Sequence, residues 1–231
     1  MIRKVLNILR RSSLFLFVLI FLFSCESDQL ATLPILGERD IEYSVIDGKE
    51  ISDTIYHKVP SFSYLNQDSI IITSESMKGK VWVADFFFTY CPTICPSMTA
   101  QMKRLNFETK DLEKEVQFMS FSIDPDHDTP SRLREYRQTY NIDVPNWYFF
   151  TGDEKETHKL AKSFFNGAER DENADGGFGH TDYFAIVDTS GHVRGIYSGT
   201  NSEQVNLLQS DLRKLLKTEY GVIGSKQRKK S

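Results

Sequence analysis

In Ala84-Asp85-Phe86-Phe87-Phe88-Thr89-Tyr90-Cys91-Pro92-Thr93-Ile94-Cys95-Pro96-Ser97-Met98, an apolar strand pattern runs into two cysteines and then into a helix. Residues 80–89 carry Val81, Trp82, Val83, Ala84, Phe86, Phe87 and Phe88, apolar on both faces, as a strand inside a sheet covered on both sides must be. Beyond the cysteines, Met98, Met102, Leu105, Phe107 and Leu112 recur at about helical spacing, and residues 116–123 alternate like a second strand. Two such strands pair in parallel across a right-handed crossover. Cys91 and Cys95 stand four apart, each followed by proline, and are the only cysteines beyond the first segment of the chain. They are the first candidates for metal or redox chemistry.

Working outward, Asp47-Gly48 predicts a tight hairpin turn inside an N-terminal extension over residues 35–58. Short strands are expected at 59–62 and 69–73, then one helical turn at 74–78 ended by Gly79. On the other side, Thr129-Pro130 starts a helix over 131–140, and a strand follows at 147–150. Thr151 and Glu154 have capping-box spacing ahead of a helix reaching about residue 165, ended by Gly167. A loop rich in Gly and Asp, 168–179, leads to His180 and a strand at 183–187. That strand turns through Asp188-Thr189-Ser190-Gly191 into an antiparallel partner at 193–198. Asn201 with Gln204 caps a last helix over 203–217, with Val205, Leu208, Leu212 and Leu215 as one apolar stripe. The order predicts an α/β fold of thioredoxin type: a central mixed β-sheet flanked by helices, plus an N-terminal hairpin extension.

The chain of 231 residues, 40% of them hydrophobic, suits one core with extensions. Residues 1–24 hold Arg3, Lys4, Arg10 and Arg11, no acid, and an apolar run from Leu14 to Phe23. That run covers about half of the roughly 20 residues a bilayer needs, so it reads as a signal peptide. Leu22 and Ser24 before Cys25 resemble a bacterial lipobox, which implies cleavage there and lipidation of Cys25. Removing four of the 28 basic residues leaves 24 against 32 acidic ones, a net charge of −8. That balance argues against nucleic acid as a partner. Residues 25–34 read as a tether, 35–218 as the folded domain, and 219–231 as a basic tail.

Here the sequence resembles the Sco (SenC-like) copper chaperones, thioredoxin-fold proteins associated with assembly of the copper centre of cytochrome c oxidase. The likeness covers roughly residues 33–216 and rests on three pieces. Phe88-Thr89-Tyr90-Cys91-Pro92-Thr93-Ile94-Cys95-Pro96 is similar to the family's C-x-x-x-C-P copper motif. Ser122-Ile123-Asp124-Pro125-Asp126-His127-Asp128-Thr129-Pro130 is similar to its D-P-x-x-D-T-P loop. His180 ahead of Asp182-Tyr183-Phe184 is similar to its distal histidine. The resemblance implies that Cys91, Cys95 and His180 bind a copper ion, Cu(I), with Cu(II) left open. It implies as partners a copper-accepting respiratory oxidase subunit and a thiol reductant, and an exported domain facing the periplasm or the outside of the cytoplasmic membrane.

The residue types suit that chemistry. Thiolates are soft and select Cu(I), and an imidazole completes an S₂N set, whereas structural zinc asks for four protein ligands. Cys95, before a proline, is disfavoured in the α region and is expected near the helix N-cap, with Cys91 in the loop before it. A helix N-terminus lowers thiol pKa. An enzyme is the alternative: a thiol-disulfide oxidoreductase using Cys91 and Cys95 to reduce an oxidase subunit's copper-ligand cysteines. Against ordinary dithiol exchange, Asp182 takes the place where redox thioredoxins carry a cis-proline. A peroxiredoxin-like peroxidase predicts Thr or Ser three residues before its reactive cysteine, where this chain has Phe88 or Pro92. Asp124, Asp126 and Asp128 read first as turn formers and caps, with His127 as a substitute ligand. His57, His158 and His192 read as surface residues, and Met98 and Met102 as core.

Overall fold

A computed structural model describes residues 32–224; the signal peptide and the Cys25 lipidation site expected from the sequence, and the basic run at 226–230, lie outside the described residues. The central sheet has seven strands in the order β11-β10-β5-β6-β7-β3-β4. Its strands are β3 (Ser63–Asn66), β4 (Ile71–Thr73), β5 (Val81–Phe87), β6 (Val116–Ser122), β7 (Trp147–Thr151), β10 (Tyr183–Val187) and β11 (Val193–Ser198). β5, β6 and β7 are parallel, and the remaining neighbours pair antiparallel. The mixed α/β architecture expected from the sequence is the one observed.

β5 and β6 are buried along their whole lengths, because helices cover both faces of the sheet. Successive side chains of β5 point to opposite faces. Phe86 stacks on Phe121 at 5.2 Å and meets Phe164 edge-on, while Phe87 packs against Tyr136 and Phe149 on the other side. Four α-helices are described: α1 (Cys95–Glu108), α2 (Pro130–Thr139), α3 (Glu154–Ser163) and α4 (Ser202–Tyr220). Thr129 caps α2, and Asn201 caps α4 by accepting from the N–H groups of Glu203 and Gln204. Val205, Leu208, Leu212 and Leu215 bury the expected stripe.

Local expectations shift in four places. Residues 59–62 are not a strand: Pro60 has no N–H to give a ladder, and the pairing strand is β3 immediately after. Thr151 ends β7, so Asp153, whose carboxylate accepts from Glu156 N–H, is the cap of α3. That helix ends before Gly167, with Phe165 in the left-handed region at φ 58°. The Gly-rich loop carries a small hairpin, β8 (Ala168–Arg170) with β9 (Phe178–His180), instead of running free.

The N-terminal hairpin forms as read, β1 (Arg39–Ile46) against β2 (Lys49–Tyr56), with Asp47 and Gly48 both at positive φ as a type I′ turn requires. Leu33 and Pro34, read with the tether, lie on the domain: their carbonyls accept from the guanidinium of Arg194.

Candidate metal centre

Cys91, Cys95 and His180 meet because of strand direction. β5 delivers the 88–94 loop at its C-terminal end, and β10 runs antiparallel to β5, so its start, just past His180, lies at the same end of the sheet. Cys91 sits in the loop, its N–H donating to Phe88 C=O. Cys95 is the first residue of α1, one position beyond the expected cap; the cap is Ile94, which has no side-chain acceptor. His180 ends β9, its ring edge-on to Phe88 at 5.6 Å. Phe178 packs on the same phenyl. Gly176, at φ +84° in the turn of that hairpin, passes so close that a Cβ there would lie 2.6 Å from the Phe88 ring, so the hairpin needs glycine at this point.

His180 Nε2 lies 3.3 Å from Cys95 Sγ and 3.8 Å from Cys91 Sγ. Its Nδ1 is 3.0 Å from Thr181 C=O. A carbonyl only accepts, so Nδ1 carries the proton and Nε2 presents its lone pair to the sulfurs. The two sulfurs and the imidazole nitrogen all lie within 4.8 Å of one another, the scale on which metal–sulfur and metal–nitrogen bonds of roughly 2.0–2.3 Å converge. Both cysteines are free thiols and both are buried, Cys91 at 7% exposure and Cys95 at 1%. Their acidities are split. The Cys95 thiol directed at Cys91, helped by the N–H groups of Cys95 and Thr93, outweighs burial and holds Cys91 below the ordinary thiol range. The adjacent Cys91 sulfur, then burial, push Cys95 up. Cys91 is thus the more acidic of the two thiols.

The acidic loop supports this site from beneath. Asp128, fully buried, accepts from Thr89 N–H at 3.0 Å, Thr89 Oγ1 at 2.5 Å and Ser122 Oγ at 2.6 Å. Arg132 donates to Thr89 Oγ1 and lies 4.7 Å over the Tyr90 ring. Asp124 pairs with His127 Nδ1 at 2.7 Å, and Asp126 with Arg170 at 3.0 Å. The loop is thus turn-forming and clamping, and His127 lies outside the sulfur and imidazole cluster. His57, His158 and His192, expected at the surface, are half-buried, the first two on the carbonyls of Ser163 and Ile123 and the third beside Asp188. Replacing Asp128 with alanine is expected to leave buried donors at Thr89 and Ser122 unpaired. The cost is about 2–3 kcal/mol, visible as a lower denaturation midpoint. Cu(I) affinity should drop about 10-fold, within the range for loss of an outer partner, with one copper per chain retained.

Sequence reading missed Asp85. It is the one ionisable side chain in β5, which is a visible signal. It is 2% exposed, and its Oδ1 has no hydrogen-bond partner. Burial pushes its carboxyl up to about 7, against a smaller opposing effect of Ser120, its cross-strand neighbour. The folded chain therefore keeps this proton to near pH 7, while the unfolded chain releases it near pH 4. Stability is full below the unfolded value and declines as pH rises to about 7, by about 1.4 kcal/mol per pH unit. Asp85→Asn should abolish that slope in urea denaturation run at pH 4.5, 6 and 8; an unchanged slope would place its origin elsewhere.

Comparison with known proteins agrees with this geometry. The SCO1/SenC family profile matches residues 52–217. The SCO1 protein homolog of Bacillus subtilis is 34% identical over 167 residues, covering 72% of this chain and 86% of that protein. The crystal structure of a SCO1/SenC family lipoprotein from Bacillus anthracis superposes with a TM-score of 0.63 at 37% identity, covering 68% of this chain and 94% of that one. ScoI of Bradyrhizobium japonicum, solved with copper bound, shares the fold with a TM-score of 0.58 at 23% identity, over 69% and 99% of the two chains. The Sco family is described as one of cytochrome c oxidase assembly proteins. This chain, with its cysteine pair and distal histidine gathered at one end of the sheet, is a member of the SCO1/SenC family.

Proposed function

We propose that this protein is a membrane-tethered copper chaperone that takes Cu(I) on Cys91 Sγ, Cys95 Sγ and His180 Nε2 and hands it to the copper centre of a cytochrome c oxidase. The observation that carries the reading is the convergence of those three donor atoms, the one such group among the described residues. Two soft sulfurs and a neutral imidazole suit Cu(I), and three ligands fall short of the four that structural zinc takes. Both sulfurs bind as thiolates, so loading releases to solvent whatever thiol protons the pair still holds, the last of them from Cys95, the less acidic of the two. Three-coordination leaves the ion open to an entering sulfur of the acceptor, and Cys91 is the more exposed of the two sulfurs it would exchange with. Transfer is then an exchange of sulfur ligands with no change in copper oxidation state.

Lipidation of Cys25 supplies the tether. Among the described residues no helix is long and apolar enough to cross a membrane, and the B. anthracis relative is a lipoprotein. Cys25→Ser is expected to move the protein from the membrane fraction to the soluble one. Anaerobic titration of the reduced chain with Cu(I) against a competing chelator tests the central reading: one tightly held copper per chain supports it, and binding no better than a cysteine-free variant rejects it.

The split acidities favour a second use of the same thiols. Cys91 thiolate would attack a disulfide in an oxidase subunit and form a mixed disulfide. Cys95, losing its proton, would resolve it, leaving the partner as a dithiol and a Cys91–Cys95 disulfide that a thiol reductant must reopen. In that oxidised form both sulfur ligands are lost, so redox state gates copper loading.

A further inference from the structure

The β1–β2 hairpin is the largest feature that the copper site does not use, and β1 precedes the matched family region, which starts at residue 52. It stands out from the domain with every residue of both strands exposed except Tyr56. A lone two-stranded hairpin is marginal in water, and its exposed apolar side chains call for cover. Its register makes the two faces unequal. Directly paired residues share a face, so Ile41, Tyr43 and Val45 lie with Tyr56, Thr54, Ser52 and Glu50. Ile41, Tyr43 and Val45 are 57%, 73% and 69% exposed. The only charges on that face are Arg39 and Glu50, which cancel. Asp40, Glu42 and Asp53 all lie on the other face with Lys49, a net charge of −2, alongside Ile46, Ile51 and Ile55 at 56%, 40% and 48% exposure, so the two faces differ in charge while both carry apolar side chains.

The root of the hairpin shows what this face meets. Tyr56 packs edge-on to His192, Val59 N–H donates to Gly191 C=O, and Leu33 and Pro34 are held by Arg194. Tether exit and hairpin root therefore share the turn between β10 and β11. That turn is at the opposite end of the sheet from His180, because β10 runs from one to the other. Cys25 lies seven residues before Thr32, so a lipid there keeps the domain's entry within about 25 Å of the bilayer. An eight-residue strand is about 27 Å long, enough to span that gap. A second copy or a protein partner has no such constraint bringing it to this end.

We infer that the face of the hairpin bearing Ile41, Tyr43 and Val45 lies on the lipid headgroup surface, a second contact that orients the copper site away from the membrane. The inference rests on the lipidated tether proposed above. Apolar side chains and a tyrosine with no net charge suit the interface of a neutral bilayer, and the acidic face turns to water. The test uses the full lipidated chain in phosphatidylcholine vesicles, some made with brominated acyl chains that quench tryptophan. Tyr43→Trp places a reporter on the hairpin, and Tyr183→Trp places one near the His180 end; Trp82 and Trp147 are buried and give the background. Quenching of most of the added emission in Tyr43→Trp, its loss when Ile41→Ser and Val45→Ser are added, and none in Tyr183→Trp is the expected result. A chain that floats with vesicles but shows no quenching in Tyr43→Trp, or equal quenching in both, overturns the inference and leaves the anchor standing. A chain that does not float overturns both.

Discussion

Changing Cys91 or Cys95 to serine is expected to abolish stoichiometric Cu(I) binding, and His180→Ala to weaken it by more than about 100-fold, beyond the usual effect of losing an outer partner. The asymmetry follows from the donor set. A serine hydroxyl is hard and stays protonated, so either cysteine change leaves one soft ligand and the imidazole. Without His180 the two sulfurs remain, and linear two-sulfur coordination still holds some copper. The chelator competition should give tight one-to-one binding for wild type, a weaker one-to-one curve for His180→Ala, and none for either cysteine variant. If His180→Ala bound as tightly as wild type, Nε2 would be a hydrogen-bond acceptor for Cys95 and no ligand. Oxidising wild type to the Cys91–Cys95 disulfide should mimic the double cysteine change, and a thiol reductant should restore binding.

Much of this candidate site can be read from sequence because its three donor residues fall at the ends of regular elements. An apolar strand and a periodic helix flank Cys91 and Cys95, and the turn at Asp188-Thr189-Ser190-Gly191 fixes the direction of the strand that His180 precedes. What cannot be read is which side chains meet across the fold. Asp128 grips Thr89 through contacts 39 residues apart in sequence, and no local pattern announces such a pair. Residues 168–179 look like a mobile loop by composition, yet Phe178 finds Phe88, and that tertiary packing turns the segment into a hairpin that already holds His180 beside the sulfurs. Phe165 beyond α3 takes the left-handed conformation that composition assigns to a glycine, because its ring is held against His57 at 5.1 Å.

At the other end of the sheet, Arg194→Ala should destabilise the domain by about 3–5 kcal/mol, the usual cost of breaking a buried ion pair from one side. β11 carries a bulge in which Ile186 pairs with Gly195 and Val187 with Val193, leaving Arg194 as the extra residue. A bulge re-aims its side chain, and here the guanidinium reaches Asp188 at 3.0 Å and Glu219 at 2.8 and 2.5 Å, besides Leu33 and Pro34 C=O. It is 5% exposed. Alanine would leave two carboxylates close together without their cation and two carbonyls without donors. For a domain of this size the melting temperature should fall by roughly 6–20 °C. Arg194→Lys should recover part of the loss, since an ammonium keeps the charge without the planar fork that serves several acceptors at once. Two further readouts locate the effect. Proteolysis ahead of Leu36 should accelerate as the entry segment comes free, while Cu(I) affinity measured well below the melting transition should stay at the wild-type value, because the cluster lies at the far end of β10. A copper affinity that fell in step with stability would mean that the two ends of the sheet are coupled, and that the Arg194 clamp on Leu33 and Pro34 also sets the geometry of the two sulfurs and the imidazole.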